Sequence, residues 1–147
     1  MFNLITRNVS YDSFIYKSNI NNLIWDIPTV SGAAPQIREE IKAVSDNSGK
    51  IHIFGGNNYS LDTTSATWTI FSDMVDFDIV SSTWSDSSTT VNGRTAYTAT
   101  LLPNGTIVYV GGYEVSNLKN SLTMSDISQI YLYDTNSLEW STMVCVK

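Results

Sequence analysis

The sequence predicts an all-β chain in which one four-stranded unit is built twice, and three observations carry that prediction. Displaced by 56 residues, Gly55-Gly56 falls on Gly111-Gly112, Asp78 on Asp134, and Trp84-Ser85 on Trp140-Ser141, with no gap. Apolar positions recur at the same offset, Ile51 with Ile107, Ala43 with Ala99 and Phe77 with Tyr133, so the repeat is one of packing and not only of turns. Charged residues are only 15% of the chain while Ser, Thr and Asn are plentiful, as strands with hydroxyl-bearing faces and long polar connections require.

The elements follow in order. A first strand is expected around Lys42 to Ser45 and again around Thr95 to Leu102, ended by the turn formers Asp46-Asn47-Ser48-Gly49 and Pro103-Asn104-Gly105. The β-branched and aromatic runs Ile51 to Phe54 and Ile107 to Val110 make the second strand. Each run closes on a glycine pair, which lets the backbone bend and a neighbouring chain come close. Polar connections, Asn57 to Asp73 and Tyr113 to Gln129, lead to a third strand at Met74 to Asp78 and Ile130 to Asp134. A turn then delivers the fourth strand, which opens on Trp84 or Trp140. Upstream, Asn21-Asn22-Leu23-Ile24-Trp25 imitates Asn136-Ser137-Leu138-Glu139-Trp140, with Ile15 and Tyr16 where a third strand should stand, Asn19 in place of the aspartate and Ser18 in place of the aromatic.

The order of hydrophobic strand, Gly-Gly, connection, aromatic-Asp, turn and Trp resembles the kelch repeat. Its marks here are Gly55, Gly56, Phe77, Asp78 and Trp84, then Gly111, Gly112, Tyr133, Asp134 and Trp140. The resemblance covers Ile37 to Ser141 and implies the blades of a β-propeller. Residues 1–28 would be the outer strands of a preceding blade, residues 29–90 a complete blade and residues 91–147 the next. More narrowly, Gly93-Arg94-Thr95-Ala96-Tyr97 and Tyr131-Leu132-Tyr133-Asp134 are similar to fungal kelch proteins with a galactose-oxidase-like central domain. A propeller closes with roughly four to eight blades. The chain is therefore expected to be a partial propeller that meets further kelch blades, from a longer parent chain or from other copies. A truncated fragment without function is the third alternative.

Composition excludes several chemistries. A formal charge of −6 with eight scattered Lys and Arg does not suit a phosphate backbone, so nucleic acid is not expected as a partner. No apolar run is long enough for a membrane span or a signal peptide, and no compartment is indicated. Copper chemistry of the galactose-oxidase kind needs several converging imidazole, phenolate or thiolate ligands. The chain has one histidine, His52, whose place between Ile51 and Ile53 predicts a solvent-facing strand position, and one cysteine, Cys145, expected as a buried strand thiol. Neither a catalytic constellation nor a cofactor is expected in this chain. An enzymatic parent would keep its catalytic residues elsewhere. Asp78 and Asp134, each just before a turn, are expected to bond the turn backbone, and Glu39 and Glu40 to be solvated.

What remains is binding. Both long connections exceed an ordinary hairpin loop, and propellers concentrate function in such segments. The kelch resemblance places Arg38 and Arg94 near the channel mouth with Asn57, Asn58, Tyr59, Tyr113 and Glu114, a set for a protein partner rich in the residues interfaces favour. A repeated arginine is equally the residue that pairs with a carboxylate or carbonyl inside the structure. Trp68 and Met124 coincide in the repeat and are expected to anchor their loops. Asn8, Asn58 and Asn104 head Asn-x-Ser/Thr sequons, unremarkable in so hydroxyl-rich a chain.

Overall fold

The computed structural model describes residues 15–19, 21–61, 66–87, 89–116 and 121–145, and the chain divides into two compact units at Val30 and Ser31. Asn8 and Tyr11 lie outside the described residues.

In the first unit, β1 (Lys17–Asn19) and β2 (Ile24–Asp26) form an antiparallel hairpin with Ser18 opposite Trp25. Asn19 Oδ1 accepts the Asn21 N–H at 2.9 Å, and Leu23 adopts φ 56°. The second unit contains two four-stranded antiparallel sheets. The first runs β3 (Ala43–Ser45), β4 (Lys50–Phe54), β7 (Met74–Asp78), β8 (Thr83–Ser87). The second runs β9 (Thr98–Leu101), β10 (Thr106–Val110), β13 (Gln129–Asp134), β14 (Glu139–Val144). Phe77 stands opposite Trp84 and Tyr133 opposite Trp140, so the repeat extends to register. Asp78 Oδ1 accepts the N–H groups of Val80 and Ser81, and Asp134 Oδ1 those of Asn136 and Ser137, as expected of turn aspartates. These backbone donors hold both carboxyls below the usual range. Ser82 and Leu138, two residues before each Trp, share the positive φ of Leu23, at 53° and 60°. All three turns thus have one backbone form.

The long connections are more ordered than their polarity suggested. Each contains a two-stranded sheet, β5 (Asn57–Leu61) with β6 (Ala66–Ile70), and β11 (Tyr113–Ser116) with β12 (Ser121–Met124). Residues 62–65 and 117–120 lie outside the description.

The two four-stranded sheets pack face to face. Alternation along β4 points His52 and Phe54 to one side, where they meet Tyr109, Tyr133 and Trp140 of the second sheet. The Phe54 ring lies 4.7 Å from Trp140 and 5.3 Å from Tyr109, and Tyr97 donates its hydroxyl to the Phe54 carbonyl. Burial pushes the Tyr97 phenol up to about 12. Backbone bonds cross the junction too, Gly56 N–H to the Arg94 carbonyl and Ala96 N–H to the Glu40 carbonyl, each 2.9 Å. Burying each large ring of this junction contributes about 1.5–3 kcal/mol.

Because β4 and β7 are covered on both faces, alternation does not carry His52 to solvent. It is fully buried, which corrects the surface placement read from its neighbours. Cys145 departs in the opposite sense. It follows the outermost strand of the second sheet and is exposed. The first sheet's outer edge is covered, since Ser31 bridges to Thr83 and accepts the Trp84 N–H at 2.9 Å.

Candidate functional site: two clamped hairpins with exposed apolar faces

Each hairpin springs from a glycine pair and is held at its base by the incoming chain. Glu39 and Asn57 exchange backbone hydrogen bonds, and Thr95 and Tyr113 do the same one repeat later. The Asn57 amide donates to Glu40 Oε2 (2.9 Å) and Thr95 Oγ1 (2.8 Å), joining the two bases. Glu40 is exposed but not simply solvated, because its carboxylate takes that bond.

The repeated arginines are the clamps. Arg38 makes a bidentate pair with Asp73 at 2.8 Å, donates to the Gly55 carbonyl and lies 4.3 Å from the Phe71 ring centroid. Arg94, fully buried, bonds Glu114 Oε1 through Nε at 2.9 Å and covers the Tyr131 ring at 3.9 Å. Both guanidiniums thus fix the hairpin to its sheet, the pairing alternative open in the sequence. Arg94 and Asn57 are buried and Arg38 nearly so, which places them behind the surface instead of at an open mouth.

The surface itself is made by other members of the expected set. Tyr59 and Trp68 oppose each other in register, their rings 4.7 Å apart, and are 43% and 47% exposed. In the second hairpin Tyr113 opposes Met124, with Leu122 on the same face, at 41%, 78% and 37%. Pleating puts Asn58 and Thr69, or Glu114 and Thr123, on the reverse face. Each hairpin therefore has one apolar and one polar side. Trp68 and Met124 were expected to pack down as anchors. The hairpins lift them off the sheets, so these two are the site residues that reasoning from the repeat missed.

The fixed offset hid this because the hairpins are not in the same register. Phe71 N–H bonds the Gly56 carbonyl, whereas Ser125 N–H bonds that of Gly112, two residues earlier in the repeat frame. The second hairpin is shorter, and the turn closed by Gln129 N–H to the Asp126 carbonyl restores the frame before β13. A pattern of alternating apolar residues at Tyr113, Val115, Leu122 and Met124 was the available signal.

Among the described residues no helix is long and apolar enough to cross a membrane. No curated protein matches the chain in a sequence comparison. The family of the KLHDC2/KLHL20/DRC7 Kelch-repeats domain matches residues 5–147, nearly the whole length. With both sheets carrying the glycine pair, the aromatic-Asp and the Trp in one register, the chain belongs to that kelch-repeat family.

Proposed function

We propose that this kelch domain is a protein-binding module whose partner docks on the apolar faces of the two hairpins, and that it binds rather than catalyses. The observation that carries the reading is the exposed Tyr59–Trp68 ring pair, continued in kind by Tyr113 and Met124. Domains seldom expose such side chains together on one face of a clamped element without a partner, and Tyr and Trp are the residues on which binding energy concentrates. The arginine ion pairs tie the hairpin bases to their sheets, so little order is lost on binding. With the arginines and their carboxylates neutralised internally, the face favours a segment with apolar or aromatic side chains over a highly charged one. Asn58, on the polar face of the first hairpin, would serve as a rim contact, while Glu114 is taken up by Arg94. In the same reading, residues 1–28 belong to a preceding blade, 29–90 and 91–147 are one blade each, and further kelch blades complete the ring.

The test compares capture from cell extract by the whole chain with capture by Tyr59→Ser/Trp68→Ser, Tyr113→Ser/Met124→Ser, and the polar-face control Thr69→Ser/Thr123→Ser. A protein retained by wild type and control but reduced about tenfold or more by either apolar-face variant is expected, because loss of an aromatic anchor commonly costs over 1–2 kcal/mol of binding. Equal recovery by all four chains contradicts the reading.

A further inference from the structure

The buried His52 has both ring nitrogens engaged by carboxylates. Nδ1 lies 2.8 Å from Asp76 Oδ1 and Nε2 3.2 Å from Asp46 Oδ2. An imidazole donates through both nitrogens only when protonated, so this geometry is that of a cation between two anions. Among the described residues Asp76 receives in addition the Ser87 hydroxyl at 2.8 Å, whereas Asp46 also accepts the N–H groups of Ser48 and Lys50, each at 2.9 Å. From the second sheet, Tyr133 meets the ring edge-on with centroids 5.6 Å apart. Among the described residues, Asp46, Asp76, Tyr133 and, beyond Asp76, Tyr109 are the titratable groups facing it. Asp46 lines a cleft of about 190 Å³ between the turn tips of the two sheets, with Pro103, Asn104 and Asn136 opposite, so water and protons reach the cluster from its edge.

The second sheet forms without this chemistry. Fifty-six residues on, Asp46, His52, Asp76 and Ser87 become Leu102, Val108, Leu132 and Met143, all apolar. A buried ionic set where an apolar set also builds the sheet is retained at a desolvation cost, and a switch is a well-attested reason for such a set. We propose that this junction is a pH-sensitive latch, in which protonated His52, held between Asp46 and Asp76, fastens the Asp46–Gly49 turn at the boundary of the two blades and releases it on deprotonation.

The direction follows from donor counts. A neutral ring keeps one N–H. Asp76 is the more dependent carboxylate and retains it, which leaves a lone pair on Nε2 facing the Asp46 carboxylate. The turn, exposed at Asn47 and Ser48 while Asp76 is buried, is the part that gives way. Burial alone would push the imidazole down, but the hydrogen bonds it donates to Asp76 and then Asp46, together with their charges, raise it. Burial likewise pushes Asp46 up, yet bonds from Lys50, Ser48 and His52 bring its carboxyl below the usual range. A raised histidine contributes stability that is whole below about pH 6.5, its unfolded value, and lost as pH rises through the folded value.

The experiment uses the chain's sole imidazole as its own reporter, by NMR titration of the whole 147-residue chain between about pH 5 and 9 with hydrogen exchange at the Ser48 and Lys50 amides. Expected are a ring midpoint above 6.5 and exchange at Ser48 and Lys50 that accelerates over the same range relative to Val80 and Ser81, whose amides are bonded to Asp78 and not to a carboxylate that His52 engages. The folding constant should fall about tenfold for each unit separating the folded and unfolded midpoints. Asp76→Asn should lower the ring midpoint. The fourfold change Asp46→Leu/His52→Val/Asp76→Leu/Ser87→Met should flatten stability against pH. A ring midpoint at or below 6.5, or Ser48 and Lys50 exchanging in step with Val80 and Ser81, overturns the latch.

Discussion

Alanine at Gly55 is expected to destabilise the chain by about 2–5 kcal/mol, and alanine at Gly111, its repeat equivalent, by about 1–2 kcal/mol. Both glycines have positive φ, 60° and 69°, so each substitution carries the strain of a side chain in the left-handed region. Only one carries a collision. A Cβ on Gly55 would lie 2.3 Å from the Arg94 carbonyl oxygen, which belongs to the neighbouring blade, and backbone cannot swing aside as a side chain can. A Cβ on Gly111 meets nothing within 4 Å. The second glycine of each pair serves a different neighbour, since a Cβ on Gly112 would lie 2.4 Å from the Thr95 carbonyl of its own blade. Urea unfolding of the two alanine variants measures the difference, and equal losses would contradict the blade contact at Gly55.

Replacing Arg94 with leucine should cost about 3–5 kcal/mol, the penalty for leaving one member of a buried ion pair without its partner. Arg94 is fully buried, and Glu114, only one fifth exposed, would be left facing the Tyr131 ring without a cation. Arg38→Leu should cost less, about 1.5–3 kcal/mol, because Asp73 is 44% exposed and can be hydrated once the guanidinium is gone. Adding Glu114→Gln to Arg94→Leu should recover part of the loss, since a neutral amide is less costly to leave unpaired. Thermal or urea unfolding of the three variants checks the order, and an Arg94 variant milder than the Arg38 variant would contradict it.

The blade was legible in the sequence wherever a residue type was forced by backbone form. Glycine at 55, 56, 111 and 112, aspartate at 78 and 134, and tryptophan at 84 and 140 marked turns and facing strands that the structure places in one register. The turn before Trp25 was legible too, through Asn19 and Leu23, although its aspartate and aromatic are replaced. What did not show was anything decided by a neighbour distant in sequence. The burial of His52 depends on a second sheet, whose Tyr133 ring centroid lies 5.6 Å from its own, and alternation along one strand carries no information about whether its other face is covered. The hairpins were read as loops because their strands are short and rich in Ser, Thr and Asn, and the two-residue slip between them blurred the only internal comparison available. For the site, Tyr59, Tyr113 and Asn58 were placed near the surface by the repeat. Trp68 and Met124 were set aside because large apolar side chains usually pack inward.

The central claim is that two like-built blades stack through an aromatic seam, and nuclear Overhauser contacts in the whole 147-residue chain test it most directly. Phe54 ring protons should show contacts with both Trp140 and Tyr109, at centroid separations of 4.7 and 5.3 Å, alongside the contacts within each blade between Phe77 and Trp84 and between Tyr133 and Trp140. Contacts confined to the pairs within a blade, with none from Phe54 to Trp140 or Tyr109, would contradict the stacking on which the clamped hairpins and the latch both depend.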